Sequence, residues 1–582
     1  MSQMYGPTNM QPDIHTKLTF EPGNEALGPA KYIAYYNKLV VQPCNRAFCP
    51  FCGGFEEKIL PGTEYEVVLT GPIISRKGKL SYIAHRYVPP PDRLLFKDKF
   101  ITGEASIGSG HGRLVFLGGI GEAGNRVCFL AIHNQSAVMF DCGINVSALE
   151  AARPQPVQPP KPEDPLDEWL AFLNLNTPDE EEPKPPLYPD FDRLFELLGT
   201  GIKLEAIVVS HGHLDHIGSL PELLRRMQEQ GMALPTIYGT AFTNSMIHHH
   251  LESVRKEDPT IPEYPLMEDI KAGQELRLGG FQIKPFSVYH SVPDSLGFAF
   301  MAEGDTAATL YTGDFKTRWQ KHFDVFETAN RFKALATDWP IRLLIIDGTN
   351  ACVPGFSGLE VDVQEGLAEA LLSAAGPILV ICFSSHIARI KEIFALAGAA
   401  KAGHVAIYGQ SFKGPLEAAS RMGWDPTYHN SLRRARVSII AGCQANANSV
   451  AWRLSQGERI GGFQIDETCT VVESAMPIPG RGPAVAQMLR NFQEQGARVI
   501  VDPAFPEKGR IFGCEVMSVH RSGHGFAEDI RTVIKAVQAD YVLPFHCSEE
   551  AMMEVAIIAT LATGIPDNKL LLPKGEGFSI EF

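Results

Sequence analysis

The sequence predicts an α/β protein organised around a metal site, and three observations carry that expectation. Ile207-Val-Val-Ser-His211-Gly-His213-Leu-Asp215-His216-Ile-Gly218 sets four residues able to ligate a metal within six positions. Three later apolar runs each end in a polar turn: Phe281 to Tyr289 before His290, Thr309 to Tyr311 before Asp314, and Leu343 to Ile346 before Asp347. Further strand-like runs at Ile378 to Phe383, Val405 to Tyr408, Val437 to Ile440 and Thr470 to Val472 continue the α/β pattern down the chain.

The metal turn follows from local patterning. The apolar run Ile207 to Val209 stops at Ser210, and Ser219 with Glu222 three residues on has the form of a capping box opening a helix. A strand-to-helix turn can aim His211 and His213 at one point and Asp215 and His216 at another, the arrangement two divalent ions need to share a substrate oxygen. The competing reading is a polar loop whose histidines cap a helix.

Length and composition bound the function. The 582 residues allow three or four domains, and 45% hydrophobic with 20% charged residues describes a globular chain. A net charge of −15 opposes indiscriminate polyanion binding, so a nucleic-acid substrate needs metal ions or local positive charge. Much of that charge is local: ten acidic residues against Lys161 and Lys184 leave a net −8 between Lys161 and Asp192. No apolar run reaches the length of roughly 18 residues that spans a membrane, and no basic segment followed by an apolar run opens the chain, which predicts a cytoplasmic protein with no membrane partner. Eleven scattered cysteines suit a reducing compartment.

Residues 1–100 read as a small β-rich module, with Glu64 to Thr70 and Lys79 to Arg86 alternating like hairpin strands. Cys44, Cys49 and Cys52 have the spacing of a zinc knuckle. A structural zinc there needs a fourth ligand, from His15, His85 or a partner chain, and a redox pair or plain buried thiols are the alternatives. Gly118 to Gly124 contains Gly-x-Gly-x-x-Gly, but a dinucleotide site needs a helix next, and Arg126 to Ile132 and Ala137 to Phe140 read as strands. Asp141 closes the second, and strands so arranged resemble the opening sheet of the metallo-β-lactamase fold, in which it would buttress the metal turn. Residues 151–190 read as an exposed acidic, proline-rich insertion. His248, His249 and His250 diverge by about 100° per residue on a helix and read as structural.

The motif set resembles a known family. His211-x-His-x-Asp-His216 is the signature of the metallo-β-lactamase fold. His290-Ser-Val-Pro-Asp-Ser, Thr312-Gly-Asp-Phe-Lys and Asp347-Gly-Thr-Asn-Ala are similar to motifs of the β-CASP nucleases, most closely ribonuclease J. Ser384-Ser385-His386, Gly442-Cys-Gln444, Glu473 to Gly480, His520-Arg-Ser-Gly-His524 and Leu543-Pro-Phe-His546 extend the resemblance, in order, over roughly 110 to 582. The family pattern continues into a further C-terminal domain, and residues 1–100 have no counterpart in it.

The resemblance implies a metallo-β-lactamase αββα sandwich (101–350 and 503–582), interrupted by a β-CASP α/β domain (351–502). It implies that His211, His213 and His290 hold one zinc, that Asp215, His216 and His546 hold a second, and that Asp314 bridges them, with manganese as the alternative metal. Asp215, Asp347 and His524 would carry catalysis, His524 as proton donor or electrophile oriented by Asp347. Ser384, Ser385, His386 and His520 would bind substrate phosphate. The implied activity is hydrolysis of single-stranded RNA, endo- or 5′-exonucleolytic, by a two-metal hydroxide mechanism. The alternatives are a β-CASP DNA nuclease, whose last motif usually lacks the histidine found at 546, and a small-molecule metallo-hydrolase. Single-stranded RNA is the expected partner, and a homo-oligomer is left open.

Overall fold

The computed structural model describes residues 14–19, 21–22, 32–36, 39–43, 64–74 and 80–86, and then 96–582 apart from 97, 109, 122–125, 153–185, 263–264, 322, 479, 507–510, 512 and 576. The chain divides into two compact units, Met1–Leu95 and Phe96–Phe582. In the first, six strands form one sheet, in the order Ile14–Thr19, Glu64–Ile74, Leu80–Arg86, Leu39–Pro43, Tyr32–Tyr36, Glu21–Pro22. Glu64–Ile74 and Leu80–Arg86 pair antiparallel, with an irregularity between Thr70 and Ile73. His15 and His85 hold the same register position on either side of Val68. Cys44, Cys49 and Cys52, and with them the expected structural zinc, lie outside the described residues, as do residues 153–185 of the acidic insertion expected over 151–190.

The second unit is built on two sheets packed face to face. The eight-stranded sheet runs Met267–Asp269, Thr236–Gly239, Lys203–Val208, Ser136–Phe140, Cys128–His133, Arg113–Gly118, Ser579–Glu581, Glu104–Ser106. The six-stranded sheet runs Leu276–Leu278, Phe281–Ser287, Leu296–Ala302, Ala308–Tyr311, Ile341–Asp347, Tyr541–Phe545. Because side chains alternate across a strand and both faces here are covered, these strands read as continuous apolar runs. In Arg113–Gly118, Leu114 and Phe116 face the opposing sheet while Val115 and Leu117 face helices. In Ile341–Asp347, Leu343 and Ile345 point inward and Leu344 and Ile346 outward.

Aromatic rings fill the space between the sheets. Phe129 stacks on Phe140 with centroids 5.0 Å apart and meets Tyr311 and Phe545 edge-on at 5.2 and 5.8 Å. Such pairs are worth about 0.5–1.5 kcal/mol beyond the area they bury, so Phe129→Ala should cost about 3–5 kcal/mol. Outside the eight-stranded sheet lie helices Phe191–Gly199, Leu220–Glu229 and Ala241–Glu257. Outside the six-stranded sheet lie Asp324–Asp338, Ala527–Val537 and Glu549–Thr563. The result is an αββα sandwich, with the polar turns gathered on one edge of the layers.

Between the strand ending at Asp347 and the helix at Ala527 the chain makes a third sheet. Its order is Val405–Tyr408, Val437–Ile440, Ile378–Ile381, Thr470–Glu473, Arg498–Val501, Glu515–Val516, and every pair is parallel. Helices cover both faces, Glu360–Ser373, Ile387–Ala399 and Lys413–Arg421 on one and Val450–Ser455 and Gly482–Glu494 on the other. The sheet thus takes in Glu515–Val516, beyond residue 502, on a two-residue exposed edge with no apolar signal.

Two local expectations meet different outcomes. The Gly118 to Gly121 turn leads, past residues outside the description, to the strand Cys128–His133 rather than a helix, as its flanking sequence predicted. The Ser219 and Glu222 capping box does not form, although the helix Leu220–Glu229 starts where expected. Ser219 Oγ donates instead to the Gly143 carbonyl at 2.7 Å, and the Glu222 carboxylate accepts from Arg225 and Arg226. His250 Nε2 sits 3.1 Å from the Gly218 carbonyl, a structural contact.

Candidate metal centre

The turn from Ser210 to Ile217 is pinned by backbone before any side chain is considered. Val127, Cys142 and Ile144 donate their amides to the carbonyls of Asp215, His216 and Leu214 at 3.0, 2.7 and 3.0 Å. Position 143 must be glycine for this approach, because a Cβ there would fall 1.5 Å from the Asp215 carbonyl oxygen. Asp141, at φ +57°, aims its carboxylate beneath the turn. It accepts from Ser210 N (2.7 Å), Ser210 Oγ (2.9 Å), Tyr311 OH (2.8 Å) and His216 Nδ1 (3.0 Å). Asp141 therefore buttresses the turn and faces away from the ligand atoms. A left-handed non-glycine residue costs on the order of 1–3 kcal/mol, and His546 at φ +58° is a second such position in the same site.

The sandwich brings all seven predicted metal positions together. Ligand atoms of His211, His213, His290 and Asp314 lie within 4.8 Å of one another, as do those of Asp215, His216, Asp314 and His546. Asp314 belongs to both sets, the place a bridging carboxylate must hold. A third set, Asp314, Asp347, His524 and His546, converges equally closely, so His524 and Asp347 stand at the same centre and not at a distance from it.

Each of the five imidazoles has one nitrogen committed to a protein acceptor. His211 Nδ1 is 3.1 Å from Ser210 Oγ, His216 Nδ1 donates to Asp141, and His290 Nδ1 donates to the Gly523 carbonyl at 2.9 Å. His213 Nε2 is 3.1 Å from Ser385 Oγ, and His546 Nδ1 is 2.8 Å from Thr349 Oγ1, whose proton goes to Asp347 Oδ1 at 2.7 Å. For His211, His213 and His290 the network leaves the other nitrogen as a lone pair, whereas the other nitrogens of His216 and His546 face the Asp314 and Asp215 carboxylates at 3.2 Å, where positive charge must sit. Those lone pairs crowd together: His211 Nε2 and His290 Nε2 lie 3.1 and 3.2 Å from His213 Nδ1. Two lone pairs cannot hydrogen-bond to each other, and a tetrahedral zinc with bonds near 2.05 Å holds its nitrogens about 3.3 Å apart.

Asp314 makes the same point from the carboxylate side. Its Oδ2 lies 3.2 Å from His216 Nε2 and 3.5 Å from His211 Nε2, yet neither Oδ2 nor His216 Nε2 has a well-aligned hydrogen bond. Buried electron pairs converging without protons fit divalent cations in both positions, and the nitrogen and carboxylate donors suit zinc, with manganese next.

Electrostatics divides the two sets. Burial holds His211 well below the usual imidazole range and takes His213 to about 4 and His290 to about 3, so these three rings are neutral donors. Burial would also lower His216 and His546, but Asp314 and Asp141 raise the first, and Asp314 and Asp215 raise the second to about 10. Burial would raise Asp215 and Asp314. The His546 contact takes Asp215 to about 2, and the surrounding imidazoles hold Asp314 well below the carboxylate range. The second set thus demands positive charge most strongly.

His524 closes the site from the segment that returns from the inserted domain. Its Nδ1 is 2.8 Å from Asp347 Oδ2, its Nε2 3.8 Å from Asp314 Oδ2, and its side chain is 20% exposed, so it borders the open cleft. Burial would lower it, but Asp347 and Asp314 raise it above the ordinary imidazole value. Of the expected phosphate-binding group, Ser385 is spent on His213, and His520 Nδ1 lies 3.2 Å from the Ser474 carbonyl. His386 caps its helix by accepting from Arg389 N at 3.2 Å, leaving a buried Nε2 with no partner in the structure. Ser384 is half-buried beside them. Sequence reasoning missed Ser210, Thr349 and Tyr311, the residues that orient the ligands. Ser210 and Thr349, small hydroxyls one and two residues from His211 and Asp347, were the available signal.

Comparison with known proteins agrees with this geometry. The family described as Beta-lactamase superfamily domain matches residues 192–341, and the family described as Ribonuclease J, beta-CASP domain matches residues 375–492. The chain thus carries a metallo-β-lactamase-fold domain and a β-CASP domain and is similar to ribonuclease J. Its β-CASP domain is the parallel sheet described above, and its metallo-β-lactamase sandwich carries the metal turn. Ribonuclease J of Mycobacterium tuberculosis (strain CDC 1551 / Oshkosh) is 27% identical over 492 residues, 81% of this chain and 75% of the relative. Ribonuclease J of Thermus thermophilus is 28% identical over 476 residues, 80% and 73%, and that of Mycoplasma genitalium is 22% identical over 481 residues, 81% and 74%. Among solved structures, a protein of unknown function from Enterococcus faecalis V583 aligns over 81% of this chain and 100% of its own, with a TM-score of 0.46 and 14% identity. The clustered histidines and aspartates form a candidate metal-binding site in a chain similar to ribonuclease J. Among the described residues, no helix is long and apolar enough to cross a membrane.

Proposed function

We propose that the protein hydrolyses phosphodiester bonds of single-stranded RNA with two zinc-class ions held by His211, His213, His290, Asp314, Asp215, His216 and His546. The observation that carries this reading is the pairing of that sevenfold convergence with the His524–Asp347 contact at its open edge. When bound there, two divalent ions would acidify a water toward neutral pH and share the charge of the scissile phosphate.

The remaining work falls to the chain itself. Nδ1 of His524 donates to the Asp347 carboxylate, and because Asp347 and Asp314 raise the ring above the ordinary imidazole value it can carry a second proton on Nε2, placed to reach the leaving oxygen. Asp347 is kept ionised, since burial would raise it but His524 draws it well below the carboxylate range. Thr349 fixes the other Asp347 oxygen, with its amide at 2.9 Å and its hydroxyl at 2.7 Å. The buried, unpartnered His386 Nε2 and the half-buried Ser384 offer donors to a neighbouring phosphate. The relatives named ribonuclease J support RNA as substrate, and the histidine at 546 favours it over the DNA-directed reading.

The test is cleavage by the metal-loaded chain of matched single-stranded RNA and DNA bearing 5′-phosphate, 5′-triphosphate or 5′-hydroxyl ends, together with metal analysis. RNA should be cut, two ions should be bound in the centre, and His211→Ala combined with His213→Ala should abolish both. Preferential cleavage of DNA, or undiminished cleavage by the double variant, overturns the reading.

A further inference from the structure

Beneath the cleft, apart from the metal ligands, three ionised side chains are buried together. The side chains of Lys316, Glu360 and Arg389 are 0%, 13% and 1% exposed. Lys316 follows Asp314 on its turn in the sandwich, whereas Glu360 opens the helix Glu360–Ser373 and Arg389 lies on Ile387–Ala399 in the β-CASP domain. Glu360 accepts from Lys316 Nζ on Oε1 at 3.1 Å and from Arg389 Nη2 on Oε2 at 2.7 Å, so it joins the two domains by itself.

The donors left over reach one segment. Lys316 Nζ also donates to the Ser522 carbonyl at 3.0 Å, and Arg389 Nη1 donates to the Val519 carbonyl at 3.0 Å and to Ser474 Oγ at 2.6 Å. The Lys316 amide donates to the Tyr289 carbonyl at 2.8 Å, next to His290. Ser522 Oγ in turn receives the His524 amide at 3.1 Å, and the Gly523 carbonyl receives His290 Nδ1. Burying three ions is costly, and well-packed apolar side chains of the same volume stabilise a fold as well or better, so ionic contacts of this kind serve position more than stability.

We propose that Glu360 is a positioning residue: it locks the β-CASP domain onto the metal-bearing turn and, through Lys316 and Arg389, fixes residues 519–524 so that His524 faces Asp314. This rests on the nuclease reading for its kinetic consequence but not for its structural one. Burial would raise the Glu360 carboxyl, but Arg389 and Lys316 beside it hold it well below the carboxylate range, so the bridge is ionic at neutral pH.

The test uses the full-length, metal-loaded protein. In Glu360→Gln, amide hydrogen exchange across residues 519–524 should quicken on the order of tenfold while bound metal per chain stays at the wild-type level. Single-turnover cleavage of a short single-stranded RNA should slow about 10–100-fold with KM little changed, since misplacement and not binding is the fault. Adding Glu360→Gln to His524→Ala should cost less than about twofold more, because the proton donor that the segment positions is already gone. A full second loss, or unchanged exchange, overturns the proposal and leaves the triad as a packing brace that moves only the thermal midpoint. Arg389→Lys keeps every charge but lacks the fork for three partners, and it enters the same cycle should Glu360→Gln not fold. A wild-type protein that cleaves no RNA refutes the nuclease reading, and the exchange measurement still decides this one.

Discussion

Ser385 Oγ, carried by the β-CASP domain, lies 3.1 Å from Nε2 of His213, so a metal ligand of the sandwich takes its ring orientation from the inserted domain. The contact leaves His213 Nδ1 as the lone pair that faces His211 and His290. Losing such an orienting partner typically weakens metal binding about 10–100-fold. Ser385→Ala should show that loss in a calorimetric titration with zinc, and an unchanged affinity would mean the two domains do not share the site.

Asp141 gathers four donors while fully buried, so its replacement should be severe. Asp141→Asn puts an amide where the His216 ring must donate, and breaking a buried charged contact costs about 3–5 kcal/mol. Tyr311→Phe removes one of the four donors and should cost about 1 kcal/mol. Chemical denaturation of the metal-free proteins measures both, and equal losses would contradict the hub geometry.

His524 is held by Asp347, a carboxylate outside the seven proposed ligands, and its side chain stays partly exposed. His524→Ala should keep both metal equivalents and slow cleavage about 10²–10⁴-fold. Asp347→Asn should cost less if its carboxylate only orients and protonates the ring. An RNA with a 3′-bridging phosphorothiolate at the scissile bond needs no proton on its leaving group and should recover much of the His524→Ala rate. Loss of metal in His524→Ala would reassign the residue as a ligand, which its place in the third convergent set makes a sharp test.

Glu473 ends a β-CASP strand fully buried, and neither carboxyl oxygen makes a well-aligned hydrogen bond. Burial pushes its carboxyl well up, with the Ala475 amide pulling only weakly the other way. The folded protein therefore keeps a proton that the unfolded chain releases near pH 4.5. Stability tied to this group is fully present below that pH and falls as pH rises toward the folded value, by about 1.4 kcal/mol per pH unit. Glu473→Gln, neutral at every pH, should flatten that slope and raise stability at neutral pH. Parallel pH profiles of denaturation for the two proteins would show that the carboxyl is solvated after all.

What could be read in advance depended on how the information lies along the chain. His211 to His216 were legible because the ligands crowd into one turn, His290, Asp314 and Asp347 because each interrupts an apolar strand at its end, and His546 only through the family motif that carries it. Contacts between distant, individually unremarkable residues were not. Glu360 and Arg389 carry no signal of their own, Lys316 stands only as the last residue of a motif, and their pairing spans 44 and 29 positions. Ser219 shows the opposite failure: a strong local signal for capping lost to the Gly143 carbonyl, because tertiary contact offered its hydroxyl a better buried partner. The edge strand Glu515–Val516 carries no periodicity, since both residues are exposed.

The connections into and out of the β-CASP domain run side by side. Asn350 bridges to Phe526, Asn350 Nδ2 donates to Ser522 Oγ at 2.9 Å, and Ala527 and Glu528 donate their amides to the carbonyls of Val353 and Gly355 at 3.0 and 2.9 Å. A chain cut on both sides of this ladder has its ends already together, so joining 353 to 527 through a few glycines closes a loop at small entropic cost. The excised protein would keep all seven metal ligands and surrender Ser385, Glu360 and His524 at a stroke. Topologically the β-CASP domain is a detachable jaw: the sandwich can be asked to bind its metals alone, and whatever it fails to do afterwards belongs to the jaw.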